Sequence, residues 1–399
     1  MDLKHLQNIQ ITFDSAVASH KVAGLNCAVY KNGNEMGYWQ AGYADVENKK
    51  PFSRNTICRL FSMSKPITAV AAWVLIEQGK LDLADSLGKF IPEFNDLQIS
   101  YDSGRNGKMQ PAQRRITIQD LLNMTSGYTY GAWWDGAPYG EHLTSDLIAD
   151  LNSDCLGPCK ITTQEFAKRL AKIPVSFEPG TDYNYGLSAD LMGAVIEVAS
   201  GMKFSAFLKK YIFDPLGMKD TGFYVPAEKQ DRLSKVYTCD NEKDVISFES
   251  PNLGIQYKMD HQPSFESGGA GLCSTLDDYL KFALMLANGG ELNGKRILQK
   301  RTVEYLSKAR LTEKLQKCFD NKMEQWSGHT YCNLLRIAYR PGEAKYVTEL
   351  NEFGWDGWLG PYLSIDLKNH LVIVMLMQKT NSGTWEVTRK LKNIVNTSL

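Results

Sequence analysis

The feature that most constrains the fold is the apolar segment from Ala69 to Ile76, which closely follows a proline. A helix that is apolar on every side is buried, and this segment is far shorter than the roughly 20 residues that cross a bilayer. Pro66 lacks an N–H, so a helix accommodates it only in its first turn. The sequence therefore predicts a buried core helix that begins near Ser62 and ends before Gly79.

Two hairpin signals lie near opposite ends of the chain. Alternating apolar residues at 25–44 surround Asn32-Gly33, the preferred residue pair of a two-residue hairpin turn. The second signal joins residues 362–366 to residues 371–378 through a short polar link. Between about residues 87 and 256 the sequence instead alternates helical segments with long loops.

These patterns predict a fold of the mixed α/β (α+β) class. An antiparallel sheet flanked by helices is built from both chain ends, residues 1–86 and 257–399. Residues 87–256 form a mainly helical inserted domain. A chain of 399 residues exceeds what one compact core usually holds, which agrees with this division. The junction between the two parts is a natural place for an active site.

The charge balance excludes a partner recognised by electrostatics alone, because Lys+Arg and Asp+Glu both number 45. We expect neither a nucleic acid nor a membrane as partner. The N-terminal residues lack the apolar core of a secretory signal, so we expect a cytoplasmic protein with reduced cysteines. Cys155 and Cys159 flank a Leu-Gly-Pro turn and could pair or supply half a metal site. Because no second ligand pair lies nearby, we predict no catalytic metal.

A Ser-x-x-Lys motif at Ser62 and Lys65 is the main candidate for nucleophilic chemistry. Residues three apart share one face of a helix, so the amine can reach the hydroxyl and accept its proton. The same spacing recurs at residues 86–89 and 200–203, where a glycine lies inside the turn. We interpret those two copies as structural.

Ser62 differs from these copies because a buried helix is predicted to start beside it. The free N–H groups and the positive end of the helix dipole at that point favour a developing oxyanion. The alternative is that Ser62 is an ordinary N-cap and Lys65 a solvated surface amine. Ser64 is a competing hydroxyl that faces away from Lys65. No Gly-x-Ser-x-Gly pattern occurs, which argues against an α/β-hydrolase.

Residues 59–68 resemble the nucleophile motif of the class C β-lactamase superfamily, which also includes family VIII carboxylesterases and D,D-peptidase-like enzymes. Four further blocks resemble the superfamily in the same order, so the resemblance extends over nearly the whole chain. It is closest to the family VIII carboxylesterases and implies a β-lactamase/transpeptidase-like fold. The four blocks are residues 116–127, 178–185, 267–272 and 353–357.

The resemblance implies a role for Tyr185, which matches the tyrosine of the second superfamily motif, Tyr-x-Asn. This tyrosine shares proton transfer with Lys65, and the neighbouring Tyr183 is the main rival. Leu187 stands where the motif has asparagine. An asparagine can hydrogen-bond the amide side chain of a β-lactam, whereas leucine cannot.

The third motif, Lys-Thr-Gly in β-lactamases, matches Trp355-Asp356-Gly357. The lysine supplies a cation for a substrate carboxylate, whereas Trp355 supplies an apolar wall and Asp356 adds an acid. Both departures favour neutral acyl esters. The implied oxyanion hole combines the backbone N–H groups of Ser62 and Trp358. The alternative interpretation of this glycine-rich segment is a bend in a strand.

An aromatic cluster in the insertion can form a wall of an acyl pocket or pack as an ordinary long loop. The glycines around it suggest a lid that moves. Tyr130, Trp133 and Trp134 are expected to bind substrate together with Leu187 and the third motif. The cluster consists of Tyr128, Tyr130, Trp133, Trp134 and Tyr139.

The predicted activity is that of a serine hydrolase that forms an acyl-enzyme, a carboxylesterase for a short-acyl or small neutral ester. It needs a small-molecule acyl substrate and no cofactor. Tyr185 must be unusually acidic and Lys65 partly deprotonated. The alternatives are a β-lactamase, D-amino-acid peptidase or acyltransferase on the same scaffold, and a catalytically silent ligand-binding protein. The sequence defines neither the oligomeric state nor the natural substrate.

Overall fold

The strands of the computed structural model come mainly from the two ends of the chain. The structure describes residues 1–100, 102, 107–157, 159–239 and 244–399, so Pro158, between Cys155 and Cys159, lies outside the described residues. The strands are β1 (Gly24–Lys31), β2 (Asn34–Asp45), β3 (Lys50–Pro51), β4 (Cys58–Arg59), β5 (Gln98–Ser100), β6 (Met109–Pro111), β7 (Tyr237–Thr238), β8 (Ile246–Ser247), β9 (Cys273–Ser274), β10 (Glu291–Leu292), β11 (Lys295–Arg296), β12 (His329–Cys332), β13 (Leu335–Ala338), β14 (Phe353–Asp356), β15 (Tyr362–Asp366) and β16 (Leu371–Met377).

The helices fill the space between and around these strands, and most of the short ones lie in the insertion. They are α1 (Asn8–Ala18), α2 (Ser64–Glu77), α3 (Leu87–Phe90), α4 (Ile118–Asn123), α5 (Tyr139–Asp154), α6 (Thr163–Leu170), α7 (Ser188–Ser200), α8 (Phe204–Leu208), α9 (Asp214–Leu216), α10 (Leu276–Ala287), α11 (Lys300–Lys308), α12 (Glu313–Lys322) and α13 (Glu386–Thr397).

An eight-stranded antiparallel sheet has the order β12-β13-β14-β15-β16-β1-β2-β3. Strand β1 pairs with both β2 and β16, so the two ends of the chain meet in the middle of the sheet. Alternate residues of these strands face α1 and α13 on one side and α2 and α10 on the other. This architecture confirms the predicted fold class.

Both predicted hairpins form. Lys31 pairs with Asn34 across a turn in which Asn32 and Gly33 have positive φ angles of 52° and 77°. This is the backbone that an Asn-Gly hairpin turn requires. The second hairpin is β15 and β16, with Asp366 opposite Leu371.

The predicted core helix is α2, which is buried from Ser64 to Leu75 and packs against α7. Ser62 lies two residues before α2, in the 3-10 helix Phe61–Met63 that leads into it. Gly79 has a φ of 69°, as expected of a residue just past a helix C-terminus. The nucleophile candidate is therefore fixed at the start of a helix that cannot move without disturbing the core.

The region of residues 87–256 contains α3 to α9, in agreement with a mainly helical insertion. Its boundaries at residues 86 and 257 remain predictions. The segment predicted as one helix at 204–213 is α8 followed by a π-helical turn, Lys209–Phe213. Within the described ranges no single helix is long and apolar enough to cross a membrane. The pair Ser188–Ser200 and Phe204–Leu216 meets that test only together, across a 75° bend.

All eight cysteines are free thiols, including Cys155 and Cys159. The two cysteines are therefore not joined to each other, and the Cys159 sulfur lies 3.3 Å from Nε2 of His261. In the part of the chain that the structure describes, no three His, Cys, Asp or Glu side chains are arranged to hold a metal ion.

Candidate active site

The amine of Lys65 is the centre of the candidate site. Its Nζ atom lies 3.1 Å from Ser62 Oγ, 2.9 Å from the Tyr130 hydroxyl and 2.9 Å from the Gly269 carbonyl oxygen. Lys65 is fully buried, whereas Ser62 is partly exposed. The alternative of a solvated surface amine is therefore wrong.

Burial lowers the pKa of Lys65 to about 7, against the opposing effect of the Asp190 and Asp356 carboxylates. A neutral amine has two hydrogens and one lone pair. The Gly269 carbonyl can only accept, and Tyr130 can accept as well, so the lone pair remains for the Ser62 hydroxyl. Near neutral pH, Lys65 can thus serve as the base that the sequence predicted.

Tyr185 also reaches Ser62. Its hydroxyl interacts with that of Ser62 and accepts a hydrogen bond from Trp355 Nε1 at 3.0 Å. Burial nevertheless raises the pKa of Tyr185 above its usual value, and these hydrogen bonds offset the rise only in part. The amine of Lys65 lies 4.8 Å from the centre of the Tyr185 ring and so faces the ring. The unusual acidity expected from the sequence is therefore wrong: Tyr185 is a neutral phenol, suited to donate a proton.

Tyr130 lies in the same centre, although the sequence indicated only a substrate contact. Its hydroxyl contacts Lys65, and its ring packs edge-on against Tyr185 with centroids 5.7 Å apart. Burial holds the pKa of Tyr130 well above its usual value. The rival Tyr183 is instead fully buried behind the site, edge-on to Phe319.

Strand β14 brings the third motif close to Ser62. A Cβ at Gly357 would lie 2.3 Å from the Leu60 carbonyl oxygen, so only glycine allows this approach. The Trp358 ring packs edge-on against Phe61 at 5.0 Å. Ser62 and Trp358 therefore lie on two segments in direct contact, as an oxyanion hole made of their N–H groups requires.

Side chains alternate along β14, so Trp355 and Asp356 point to opposite faces. Trp355 packs against Tyr185 and Tyr331, with ring centroids 5.5 and 4.8 Å apart. The Asp356 carboxylate is buried and accepts a hydrogen bond of 2.8 Å from Thr384. Burial raises the pKa of Asp356 to about 6. Trp355 therefore lines the candidate site beside Tyr185, whereas the Asp356 carboxylate is held by Thr384. The contribution of either residue to substrate binding remains a prediction.

Three other predicted substrate contacts are not brought to Lys65. Leu187 is 2% exposed and directly precedes α7, where it packs into the core. Trp133 and Trp134 are 86% and 67% exposed, so neither packs as an ordinary loop residue. Their contribution to substrate binding remains a prediction.

The other serines considered in the sequence analysis lie in structural positions and not at the candidate site. Ser64 accepts a hydrogen bond from the Leu272 N–H at 3.1 Å. Ser86 directly precedes α3, and its lysine partner, Lys89, is paired with Asp85 at the surface. Ser200 ends α7 before Gly201, whose φ of 68° closes the helix.

Sequence reasoning missed Asp190 and the role of the Gly269 backbone. Asp190 is buried in the first turn of α7 and accepts hydrogen bonds from Ser267 and the Gly269 N–H. One signal was available, because Asp190 is a carboxylate among the apolar residues 189–196 of a helix and needs partners when it is buried. Which partners it has depends on the packing of residues 267–270 against α7.

The Ser62 hydroxyl contacts a buried lysine whose pKa is about 7, and a phenol lies beside them. This arrangement defines the site of a serine hydrolase. A model of the beta-lactamase family matches residues 9–396, and the chain belongs to this family. The resemblance found in the sequence is thereby confirmed.

Proteins similar to this chain include a mycobacterial protein, an esterase and a hydrolase of known structure. Protein Rv1367c of Mycobacterium tuberculosis is 29% identical over 351 residues, which cover 85% of this chain and 81% of that protein. Esterase EstB of Burkholderia gladioli is 30% identical over 289 residues, 68% of each chain. The structure of EstCE1, a hydrolase with promiscuous acyltransferase activity, has a TM-score of 0.79 at 23% identity and covers 98% of this chain and 99% of its own.

Proposed function

We propose that the protein is a carboxylesterase that hydrolyses short-acyl or small neutral esters through an acyl-enzyme on Ser62. The observation that carries the proposal is the contact of Ser62 Oγ with a buried amine whose pKa is about 7. This amine can take the serine proton at neutral pH without a metal or organic cofactor.

In the first half-reaction, Ser62 Oγ forms a bond to the ester carbonyl carbon while its proton passes to Lys65. The N–H groups of Ser62 and Trp358 hold the oxyanion. When the intermediate collapses, the bond to the alcohol breaks and Tyr185 protonates the leaving oxygen. The Lys65 ammonium then returns a proton to Tyr185. In the second half-reaction, the oxygen of water forms a bond to the acyl carbon while its proton passes to Lys65. The bond between that carbon and Ser62 Oγ then breaks, Ser62 regains a proton from the same pair, and the acid leaves.

The preference for neutral esters rests on the walls of the site. Trp355 offers an indole where a lysine would bind a carboxylate, and its N–H is already donated to Tyr185. Arg336, a nearby cation, is fully buried and paired with Glu352. A substrate carboxylate would therefore lose its hydration at this wall without gaining a cation.

The test is turnover of p-nitrophenyl acetate, p-nitrophenyl butyrate and a chromogenic cephalosporin by the wild type and Ser62→Ala. We expect Ser62-dependent ester turnover and little cephalosporin cleavage. Ser86→Ala is the matched control, since it removes the hydroxyl of a second Ser-x-x-Lys match outside the site. Lys65→Ala and Tyr185→Phe should each lower ester turnover at least about a hundredfold, the scale of one proton-transfer contribution.

Other results would favour the alternatives. Efficient cephalosporin turnover would keep Ser62 as nucleophile and replace the esterase by a β-lactamase. Ester consumption that yields a new ester when an alcohol is added would favour acyl transfer, an activity that the name of EstCE1 includes. A silent binding protein would neither turn over the esters nor be labelled at Ser62 by a fluorophosphonate.

A further inference from the structure

The carboxylate of Asp190 is linked to the Lys65 amine by a chain of hydrogen bonds. Asp190 Oδ1 accepts from the Ser267 hydroxyl, and Ser267 Oγ accepts from the Ala270 N–H at 2.9 Å. The Gly269–Ala270 peptide carries this N–H on one side and the Gly269 carbonyl on the other. That carbonyl accepts from Lys65 Nζ at 2.9 Å. The direction of the acceptor for Lys65 is thus set by Asp190 through one hydroxyl.

A second contact holds the same segment, because Asp190 Oδ1 also accepts from the Gly269 N–H at 3.1 Å. The packing leaves no room for a side chain. A Cβ at Gly269 would lie 2.6 Å from Asp190 Oδ2, and one at Gly268 would lie 2.3 Å from the Ala189 carbonyl oxygen. The two glycines therefore let the backbone approach the start of α7 closely enough to bond the carboxylate.

Asp190 also acts on the Lys65 amine through its negative charge. The titratable groups that face Lys65 are Tyr130, Tyr185, Asp190 and Asp356. The two tyrosines are neutral, and the two carboxylates raise the pKa of Lys65 against the larger effect of burial. Asp190 has the larger effect of the two carboxylates.

We propose that Asp190 is a positioning residue for the Lys65 base: it orients the amine toward Ser62 through Ser267 and Gly269, and its charge stabilises the ammonium that forms when Ser62 attacks. The proposal rests on the proposed function. With one amine hydrogen fixed on Gly269 and another on Tyr130, the lone pair of neutral Lys65 is directed at the Ser62 hydroxyl. After the proton has moved, the Gly269 carbonyl, the Tyr130 hydroxyl and Ser62 Oγ are the three acceptors for the ammonium.

The test is the pH dependence of kcat/KM for a p-nitrophenyl ester in the wild type and Asp190→Asn. Asparagine retains an oxygen for Ser267 and Gly269 but removes the charge. The pKa of Lys65 should then fall, so the acid limb of the profile should move to lower pH by about one unit. The plateau of kcat should fall at least about tenfold, because the ammonium is less stable in the transition state.

Asp278→Asn is the matched control. Asp278 is also a buried carboxylate in the first turn of a helix, α10, but its partners are Asp220, Thr221 and Lys281. The acid limb of the kcat/KM profile of Asp278→Asn should stay at the wild-type position. An Asp190→Asn profile that coincides with the wild type would overturn the proposal, and a lower plateau without a displaced limb would reduce Asp190 to a structural role.

Ser267→Ala decides the question if Asp190→Asn does not fold. It breaks the chain between the carboxylate and the peptide while the carboxylate itself remains. We expect kcat to fall at least about fivefold with KM nearly unchanged, and wild-type kcat would overturn the proposal. Failure of the proposed function looks different, because wild-type protein would then show no Ser62-dependent turnover whose pH profile could be measured.

Discussion

Replacing Lys65 by methionine removes an amine that the fold must bury, and this should stabilise the protein while it abolishes turnover. The pKa of Lys65 is about 7 in the folded chain and 10.5 for an ordinary lysine. Each pKa unit corresponds to about 1.4 kcal/mol, so burying this lysine costs about 4 kcal/mol at pH 7. Methionine has a similar length and carries no such cost.

Part of this gain is lost again, because the Gly269 carbonyl and the Tyr130 hydroxyl lose the amine as a partner. An unpaired buried acceptor costs about 1–3 kcal/mol. With about 1 kcal/mol for each of these two acceptors, the low end of that range, Lys65→Met should raise the free energy of unfolding by about 2 kcal/mol at pH 7. The cost of these unpaired acceptors is the same at every pH.

A more specific prediction is that the stabilisation by Lys65→Met depends on pH. The folded-state pKa is depressed, so the cost of burying Lys65 is full below about pH 7 and declines as the pH rises toward 10.5. At pH 9.5 about 1 kcal/mol remains, so the gain from Lys65→Met should shrink by about 3 kcal/mol between pH 7 and 9.5. Urea unfolding of the wild type and the variant at both pH values measures this difference.

Lys392 provides the matched control, because it is equally buried but lies 2.6 Å from Glu352. Lys392→Met leaves a buried carboxylate without one of its cations and should cost about 3–5 kcal/mol at pH 7. The same substitution is thus expected to have opposite signs at two buried lysines. A Lys65→Met effect that does not change between pH 7 and 9.5 would refute the reasoning.

Three further outcomes are expected. kcat/KM for an ester should rise with pH through about 7 and then level off, since neutral Lys65 is the base; a midpoint below about pH 5.5 would contradict this. Trp355→Phe keeps the ring contacts but removes the hydrogen bond to Tyr185, so kcat should fall about fivefold, which corresponds to about 1 kcal/mol. A wild-type kcat in this variant would show that the hydrogen bond does not contribute to turnover. Trp133→Ala and Trp134→Ala should change the free energy of unfolding by less than about 0.5 kcal/mol because both side chains are exposed; a loss above about 1 kcal/mol in urea unfolding would show that they pack.

The sequence by itself determined the elements whose signals are local. The Asn32-Gly33 turn defines the register of β1 and β2, because its backbone conformation is built into those two residues. The continuous apolar run after Pro66 leads to a buried helix, α2, for any arrangement of its neighbours. Ser62 and Lys65 meet for the same reason, since they are three positions apart on helical backbone.

The boundaries of elements depend more on packing. Tyr139, predicted within a loop, is the first residue of α5, and the segment after Leu208 continues as a π-helical turn instead of an α-helix. Neither change has a clear signal in the residues themselves. Helix ends respond to the contacts that each terminal turn makes in the folded protein.

The tertiary structure alone decided which distant side chains complete the site and what their environment does to them. Tyr130 and Gly269 reach Lys65 from positions 65 and 204 residues away, and Asp190 acts through a segment that only the packing of α7 brings close. The pKa of Tyr185 depends on its burial, which no local pattern encodes. Local spacing can bring a serine to a lysine, but the protonation states of the site follow from the desolvation and long-range contacts that the whole fold imposes.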